Sequence, residues 1–371
     1  MNQLHGILFA YRTDRQLREL VEHRTTASIP FAGRYRFIDF MLSNLINAGV
    51  TDVGVVMRES YQSLLDHLGS GKDWDLSRKH GGLKLLPPFS FARARGGGAY
   101  RGKLEALAGV YDYLKSIRQD YVLLADGDLV ANLPVREIFD AHLKSGADIT
   151  AVCAAGYHGE SAVSTYFLQK KDGSLDRVLC GTETPVGLEA LEVSILSRDL
   201  LLSLVDEGTA RGMNTFGRFV LQERAGSLSI QTWRFDGYVA RIRTPSAYFA
   251  RSMDLMRPEV RASLFDRARP IRTRDRSDPS SNYAPGALVR TSLVADGCIL
   301  EGTVENAILF RGVRVAPGAV VKNSIVMQDS VIGKGAVLDG VIADKDVTVH
   351  EGRRLAGHPS YPLVLAKGSV I

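Results

Sequence analysis

The turn after the first predicted strand has no glycine. Residues 8–17, "LFAYRTDRQL", place Tyr11, Arg12, Asp14 and Arg15 where an α/β protein that handles phosphates usually has small residues. Without glycines the backbone N–H groups cannot close tightly around an anion, so the usual phosphate-cradling loop is missing. Cysteine is scarce too. Cys153, Cys180 and Cys298 are odd in number and far apart, which gives neither a disulfide framework nor a metal-ligand spacing. That usage predicts a reducing, cytoplasmic location. No apolar run approaches the ~20 residues of a membrane span, and "MNQLHG" lacks the basic-then-apolar pattern of a signal peptide, so neither membrane nor leader is expected. Neither sign of charge dominates: Lys+Arg 46 against Asp+Glu 41 leaves +5, with a pI near 9.0. There is no basic arm with interleaved aromatics, so nucleic acid is not an expected partner. The mild excess suits small anions instead.

What is present divides in two. Up to about residue 265, apolar runs "GILFA" (6–10), "DVGVVM" (52–57), "YVLLAD" (121–126) and "DITAVCA" (148–154) alternate with helical patterns over 36–48, 60–68, 102–115 and 134–145. Continuously apolar strands separated by helices predict a doubly wound, mostly parallel sheet buried on both faces. Ligands in such sheets sit beyond the carboxyl ends of the strands, which puts residues 10–16 and 126–129 at the expected site. Beyond 286 the period changes. Twelve units from "ALVRTS" to "VTVHEG" fill 287–352 at a mean of 5.5 residues, and ten of them have an aliphatic second place. A period near six with Gly, Asn or Asp corners predicts a parallel β-helix with triangular coils, here about four. Residues 1–265 are thus expected to form the first domain and 287–371 the second. The Arg-, Pro- and Ser-rich segment 266–286 is a linker between them. Its Arg272, Arg274 and Arg276 either form a solvated strap or help line an anion site where the domains meet.

Two stretches, "IPFAGRYRFIDFMLSNLINAGV" (29–50) and "SLVADGCILEGTVENAILFRGVRV" (292–315), make the chain resemble glucose-1-phosphate adenylyltransferase, also called ADP-glucose pyrophosphorylase. The resemblance covers nearly the whole chain. It implies a nucleotidyltransferase domain joined to a left-handed β-helix, assembly as tetramers, and regulation by small phosphorylated metabolites or phosphate. The departures from the family pattern concentrate on its chemistry. The family's Gly-Gly-x-Gly-x-Arg-Leu triphosphate loop aligns with Tyr11, Arg12, Asp14, Gln16 and Leu17. Its Arg-Ala-Lys-Pro becomes "RTTA", with Thr26 at the lysine that would contact the transferring phosphates. Asp128 remains as the first Mg²⁺ carboxylate, followed by Leu129 rather than His, while the second carboxylate position is Arg241 in "GYVARIRT". Near the sugar-phosphate elements, Thr184 replaces a lysine, Ala190 a serine and Glu192 a glycine. Gly102 survives, and Lys103 and Leu104 replace Thr-Ala.

Losses on the ATP, metal and sugar elements together, beside an intact scaffold, imply a catalytically silent regulatory subunit. Productive cofactors are then none: Mg²⁺ and ATP belong to a catalytic partner subunit, in a heterotetramer. The alternative is an active sugar-phosphate nucleotidyltransferase with a remodelled site, in which Arg12, Arg15 and Arg241 bind phosphates. A hexapeptide-repeat acyltransferase would need a histidine presented by the coils, and His350 and His358 lie at the C-terminal end. In the family the segment matching "GRYR" contributes to the effector site. The resemblance therefore implies that Arg34 and Arg36 receive a phosphate-bearing effector, where the linker arginines Arg272, Arg274 and Arg276 would join them; the alternative is a pair of surface arginines.

Overall fold

The computed structural model describes residues 3–87, 100–156, 164–182 and 185–371; Thr184 lies outside these. Strands Gly82–Leu86, Asp52–Val56, Leu4–Phe9 and Tyr121–Asp126 lie side by side in that order, all parallel. Leu188–Ser197 follows, antiparallel to Tyr121–Asp126 on one side and to Ile149–Ala155 on the other, and Ile230–Phe235 extends Ile149–Ala155 in parallel. The hairpin Ser164–Gln169 and Leu175–Thr182 attaches at the start of Leu188–Ser197. Apolar side chains on both faces explain the sheet. Every residue of Leu4–Phe9 is buried, with Leu4 and Leu8 in one core layer and Ile7 and Phe9 in the other.

Helices Phe37–Asn47, Gln62–Leu68 and Val135–Ser145 form where the periodicity predicts them. The expected helix 102–115 is instead two, Lys103–Gly109 and Tyr111–Ser116, because Val110 (φ −118°, ψ 26°) leaves the helical region between them. Gly102 has a packing reason to be glycine. A Cβ there would stand 2.2 Å from the Asn214 carbonyl oxygen, against which the start of Lys103–Gly109 is fitted.

The second region is a β-helix of three parallel five-stranded sheets. Five strands per sheet give five layers, one more than the repeat count predicts. The added residues come from both ends: Asn282–Tyr283 opens the first sheet from within the segment read as linker, and Leu363–Leu365 closes the third. The second place of each unit is not uniformly inward, as the repeat reading requires. Val304, Val326 and Ile332 fill the coil, Ile308 and Ile342 are buried on its outer side, and Leu288 and Ile299 are exposed. In units such as "CILEG" and "AVVKNS" the third place, Leu300 or Val321, fills the coil. These are paired with their equivalents one layer on, Leu300 with Val315 and Val321 with Leu338.

The third sheet is buried on both faces. Leu309 and Val326 point into the coil. Ile308, Ile325 and Ile342 pack outward into a layer shared with Phe31, Phe37, Phe40 and Tyr248 of the first domain. A buried ion pair, Arg24 to Asp344 at 2.6 Å, crosses the same seam. The two regions therefore share one continuous apolar contact, and the tethering segment runs across it.

Candidate functional site

Parallel register brings the expected residues together. Phe9 pairs with Asp126, so the loop after Leu4–Phe9 and the turn after Tyr121–Asp126 leave the same sheet edge. The Gly127 N–H donates to the Phe9 carbonyl at 2.8 Å, and the Ala10 N–H to the Val56 carbonyl at 2.9 Å. The glycine-free loop then folds on its own side chains. The Asp14 N–H donates to Thr26 Oγ1 at 3.0 Å, the Thr26 N–H donates to the Arg12 carbonyl at 3.0 Å, and the Gln16 N–H donates to Asp14 Oδ1 at 3.2 Å. Thr26 thus braces the loop that replaced the anion cradle.

At the centre lies Asp126, 1% exposed. Lys103 Nζ stands 3.0 Å from its Oδ1 and 2.6 Å from Glu192 Oε2. Arg12 and Arg241 approach Asp126 Oδ2 at 3.8 and 4.0 Å. Beside them, Arg243 donates to Asp128 Oδ2 at 2.9 Å and lies 3.7 Å from Asp14 Oδ2. Four cations thus face four carboxylates in one cluster, buried at Asp126, Arg241, Arg243 and Asp128 and open to solvent at Arg12. Burial pushes the Asp126 carboxyl up, but Lys103, Arg241 and Arg12 outweigh it and hold the group down at about 2. Glu192 is likewise raised by burial and lowered further by Lys103, with a net fall. Lys103 behaves in mirror image: burial lowers it, and Asp126 and Glu192 raise it above its ordinary value. The group therefore stays ionised on both sides through the physiological range. Glu192 reaches the lysine because it sits at φ +57° within the register shift of Leu188–Ser197, a bulge that turns its side chain to the site.

This donor set does not fit Mg²⁺. Divalent magnesium takes carboxylates and keeps waters and phosphate oxygens around it. Here Asp128 is committed to Arg243, and Asp126 to Lys103 with Arg241 nearby. An added dication would meet ammonium and guanidinium groups at the positions its partners should occupy. No group of three or more His, Cys, Asp or Glu among the described residues is placed to hold a metal. Leu129, in the position of the family histidine, is fully buried core.

Sequence reasoning singled out Asp128, Thr26, Arg241, Lys103 and Glu192, held Asp126 only as part of the expected 126–129 segment without giving it a role, and missed Arg243. Both signals lay in view: the first Asp in "ADGD" and a second Arg two residues past Arg241, on the same side of an extended chain.

A second cluster lies at the seam between the two regions, in a cleft of about 290 Å³. Arg34, Arg36, Arg274 and Arg276 line it, joined by Arg311 from a β-helix corner. Arg311 is 5% exposed; the sequence hides it because corner residues of coils are usually solvated. Arg272 is not part of the cleft. Its backbone N–H donates to Ser43 Oγ at 2.8 Å and its carbonyl accepts from the same hydroxyl, so it fastens the tether to helix Phe37–Asn47. Arg34 pairs with Asp296, and Arg276 grips Asp329 through two nitrogens at 2.8 and 2.7 Å. Arg36 donates to Ser63 O at 2.6 Å and Ser63 Oγ at 2.9 Å. Burial lowers Arg36 to about 10, despite Asp39. Behind it, Lys345 is lowered by burial, then by Arg36 and Arg24, to about 6.

An open α/β sheet with this edge, carrying coils of hexapeptide repeats, defines a nucleotidyltransferase-type protein. Residues 13–168 match the family described as nucleotidyl transferase, and residues 280–359 the family described as GlmU-like, C-terminal hexapeptide. The chain is 34% identical over 370 residues to the glycogen biosynthesis protein GlgD of Bacillus subtilis, spanning 100% of this chain and 97% of that one. It is 36% identical over 322 residues to GlgD of Geobacillus stearothermophilus, spanning 86% and 83%. It is also 32% identical over 326 residues to the glucose-1-phosphate adenylyltransferase of the same organism, spanning 85% and 82%. The chain belongs to the glycogen-biosynthesis family that contains GlgD and glucose-1-phosphate adenylyltransferase. Among the described residues, no helix is long and apolar enough to cross a membrane.

Proposed function

We propose that this chain is a catalytically silent, regulatory subunit of a cytoplasmic glucose-1-phosphate adenylyltransferase. In this reading it forms a heterotetramer with a catalytic paralogue that binds Mg²⁺ and ATP and converts ATP and glucose 1-phosphate to ADP-glucose and pyrophosphate. The observation that carries the reading is the ion-pair cluster around Asp126. Phosphoryl transfer relies on cations aimed at phosphate oxygens and on carboxylates holding the metal. Here the carboxylates face Lys103, Arg241, Arg12 and Arg243 of the chain itself in place of a metal, and those cations face carboxylates in place of phosphate. Substrate would have to break several buried ion pairs before gaining any contact.

The rest of the molecule supplies surfaces a regulatory subunit needs. The β-helix presents flat parallel faces whose stacking suits a symmetric assembly. The arginine cleft at the seam is placed to take a phosphate-bearing effector and relay its binding through the shared apolar layer. The deciding experiment measures ADP-glucose synthesis by this chain alone, by the catalytic paralogue alone, and by the co-expressed pair. The expected result is silence alone, together with a mixed tetramer whose kcat or effector response differs from that of the paralogue. Two separate homomers, with the paralogue's kinetics untouched, overturn the proposal.

A further inference from the structure

A third cleft, of about 460 Å³, shares no lining residue with the ion-pair cluster. Its walls come from both ends of the chain. One is the turn bearing Arg15 and Arg18, and the other is the hairpin around Tyr361 and Pro362 that follows the last coil. Its character differs from that of the two sites above. No acidic residue lines it, and among the described residues neither Arg15 nor Arg18 has a carboxylate within ion-pair distance. Two guanidinium groups therefore line one cavity with no carboxylate paired to either among the described residues.

The apolar part is equally defined. Tyr361 is 66% exposed, and Arg18 lies over its ring at 5.4 Å while donating to its hydroxyl at 2.9 Å. The guanidinium covers one face of the ring, and Pro245 and Pro362 line the same cleft. Arg18 holds this position at φ +51°, in the region that non-glycine residues avoid. Ser246 and Ser360 add hydroxyls on the rim, and Gln16 an amide. Arg forks match phosphate geometry, and flat apolar surfaces take rings.

We infer that this cleft binds an organic phosphate bearing a ring, a sugar phosphate or a nucleotide, with its phosphate on Arg15 and Arg18 and its ring against Tyr361 and Pro362. The segments lining the cleft continue those that build the ion-pair cluster: residue 14 leads to Arg15, and Arg241 and Arg243 lead to Thr244 and Ser246. Occupancy is therefore felt at the loop that fills the former phosphate site. The inference does not depend on the regulatory reading above, since the cleft is present whether or not the chain pairs with another.

Titration calorimetry on the full-length chain tests it with three probes: inorganic phosphate, ribose 5-phosphate and uridine 5′-monophosphate. Both ring-bearing probes are expected to bind more tightly than inorganic phosphate. Charge reversal in R15E should weaken them by about tenfold or more, the loss of a charge-assisted contact, while its unfolding temperature shows that the fold is kept. Y361A should abolish the advantage of the ring-bearing probes, and R34A in the other cleft should leave all three unchanged. A uridine nucleotide that outbinds ribose 5-phosphate assigns a nucleotide; equal binding assigns a sugar phosphate. Absence of binding, no effect of R15E, or loss of binding in R34A overturns the inference.

Discussion

Lys103 Nζ lies 3.0 Å from Asp126 Oδ1, joining the start of a helix to the end of a central strand at the edge where this fold places its ligands. Lys103 stands in the place of a small residue in the family pattern, and it reaches Glu192 at 2.6 Å in the same motion. Both carboxylates and the ammonium are largely out of solvent. Removing one member of such a group costs more than the pair itself is worth, because an uncompensated charge remains.

Lys103→Met should therefore lower stability by about 3–5 kcal/mol, the range for breaking a buried ion pair. The triple variant K103M/D126N/E192Q should recover most of that loss, since no charge is left unpaired. Urea unfolding of both proteins checks the ordering. Equal destabilisation by the two would show that the lysine acts through packing alone.

Restoring one carboxylate should not restore chemistry. Arg241→Asp removes a cation from Asp126 but leaves Lys103 in place and the glycine-free loop from Tyr11 to Asp14 unchanged. ADP-glucose formation by the purified homomeric variant should stay at background. A kcat within tenfold of the ~10 s⁻¹ of an ordinary enzyme would refute silence.

The double variant R34A/R36A should blunt the effector response of the assembled enzyme. Its folding must be checked separately, because Arg36 also holds Ser63. An unchanged response to phosphate or a phosphorylated metabolite places the effector elsewhere.

Lys345 should make the seam more stable at high pH than at neutral pH. Its folded value of about 6, set by burial and then by Arg36 and Arg24 against Asp344, is below that of the unfolded chain. The unfolded state thus binds more protons between about 6 and about 10.4, and stability rises with pH through that window. Lys345→Met should raise the unfolding temperature at pH 7, with the gain shrinking toward pH 10. A gain that does not vary with pH would locate the effect in packing.

Acid should act in part through His5. Burial lowers His5 to about 4, against which Asp52 and Gln119 pull only partly, and its Nε2 shares a hydrogen bond with Tyr113 at 2.9 Å. The unfolded chain takes up this proton near pH 6.5, so the contribution is complete above that value. It is lost by about 3 kcal/mol on reaching pH 4. Asp126 does not confuse the window, since its carboxyl stays ionised until pH approaches about 2. Denaturant titrations from pH 7 to 4.5 should show a shallower fall in His5→Gln than in the parent.

Local chemistry made much of this molecule legible in one dimension. Apolar runs such as "YVLLAD" declare strands buried on both faces, and a period near six declares coils, because each pattern follows from which side of a short element meets water. The loss of glycines at Tyr11, Arg12 and Asp14, and the change to Arg at position 241, could likewise be read directly, since phosphate and metal chemistry tolerates few residue types. Which carboxylate Arg241 and Lys103 would meet was not readable. Asp126, Glu192 and Arg243 are separated in the chain and converge only through strand register and a bulge, so their pairing belongs to the tertiary structure. The same holds for the arginines. "GRYR" and the tether announced positive charge, yet only packing of the third coil sheet against the first domain buried Arg311 beside them and turned Arg272 away. Sequence determines what each segment can be; distance across the fold decides which charges must answer one another, because Coulomb energy depends on separation in space and on the water that burial removes.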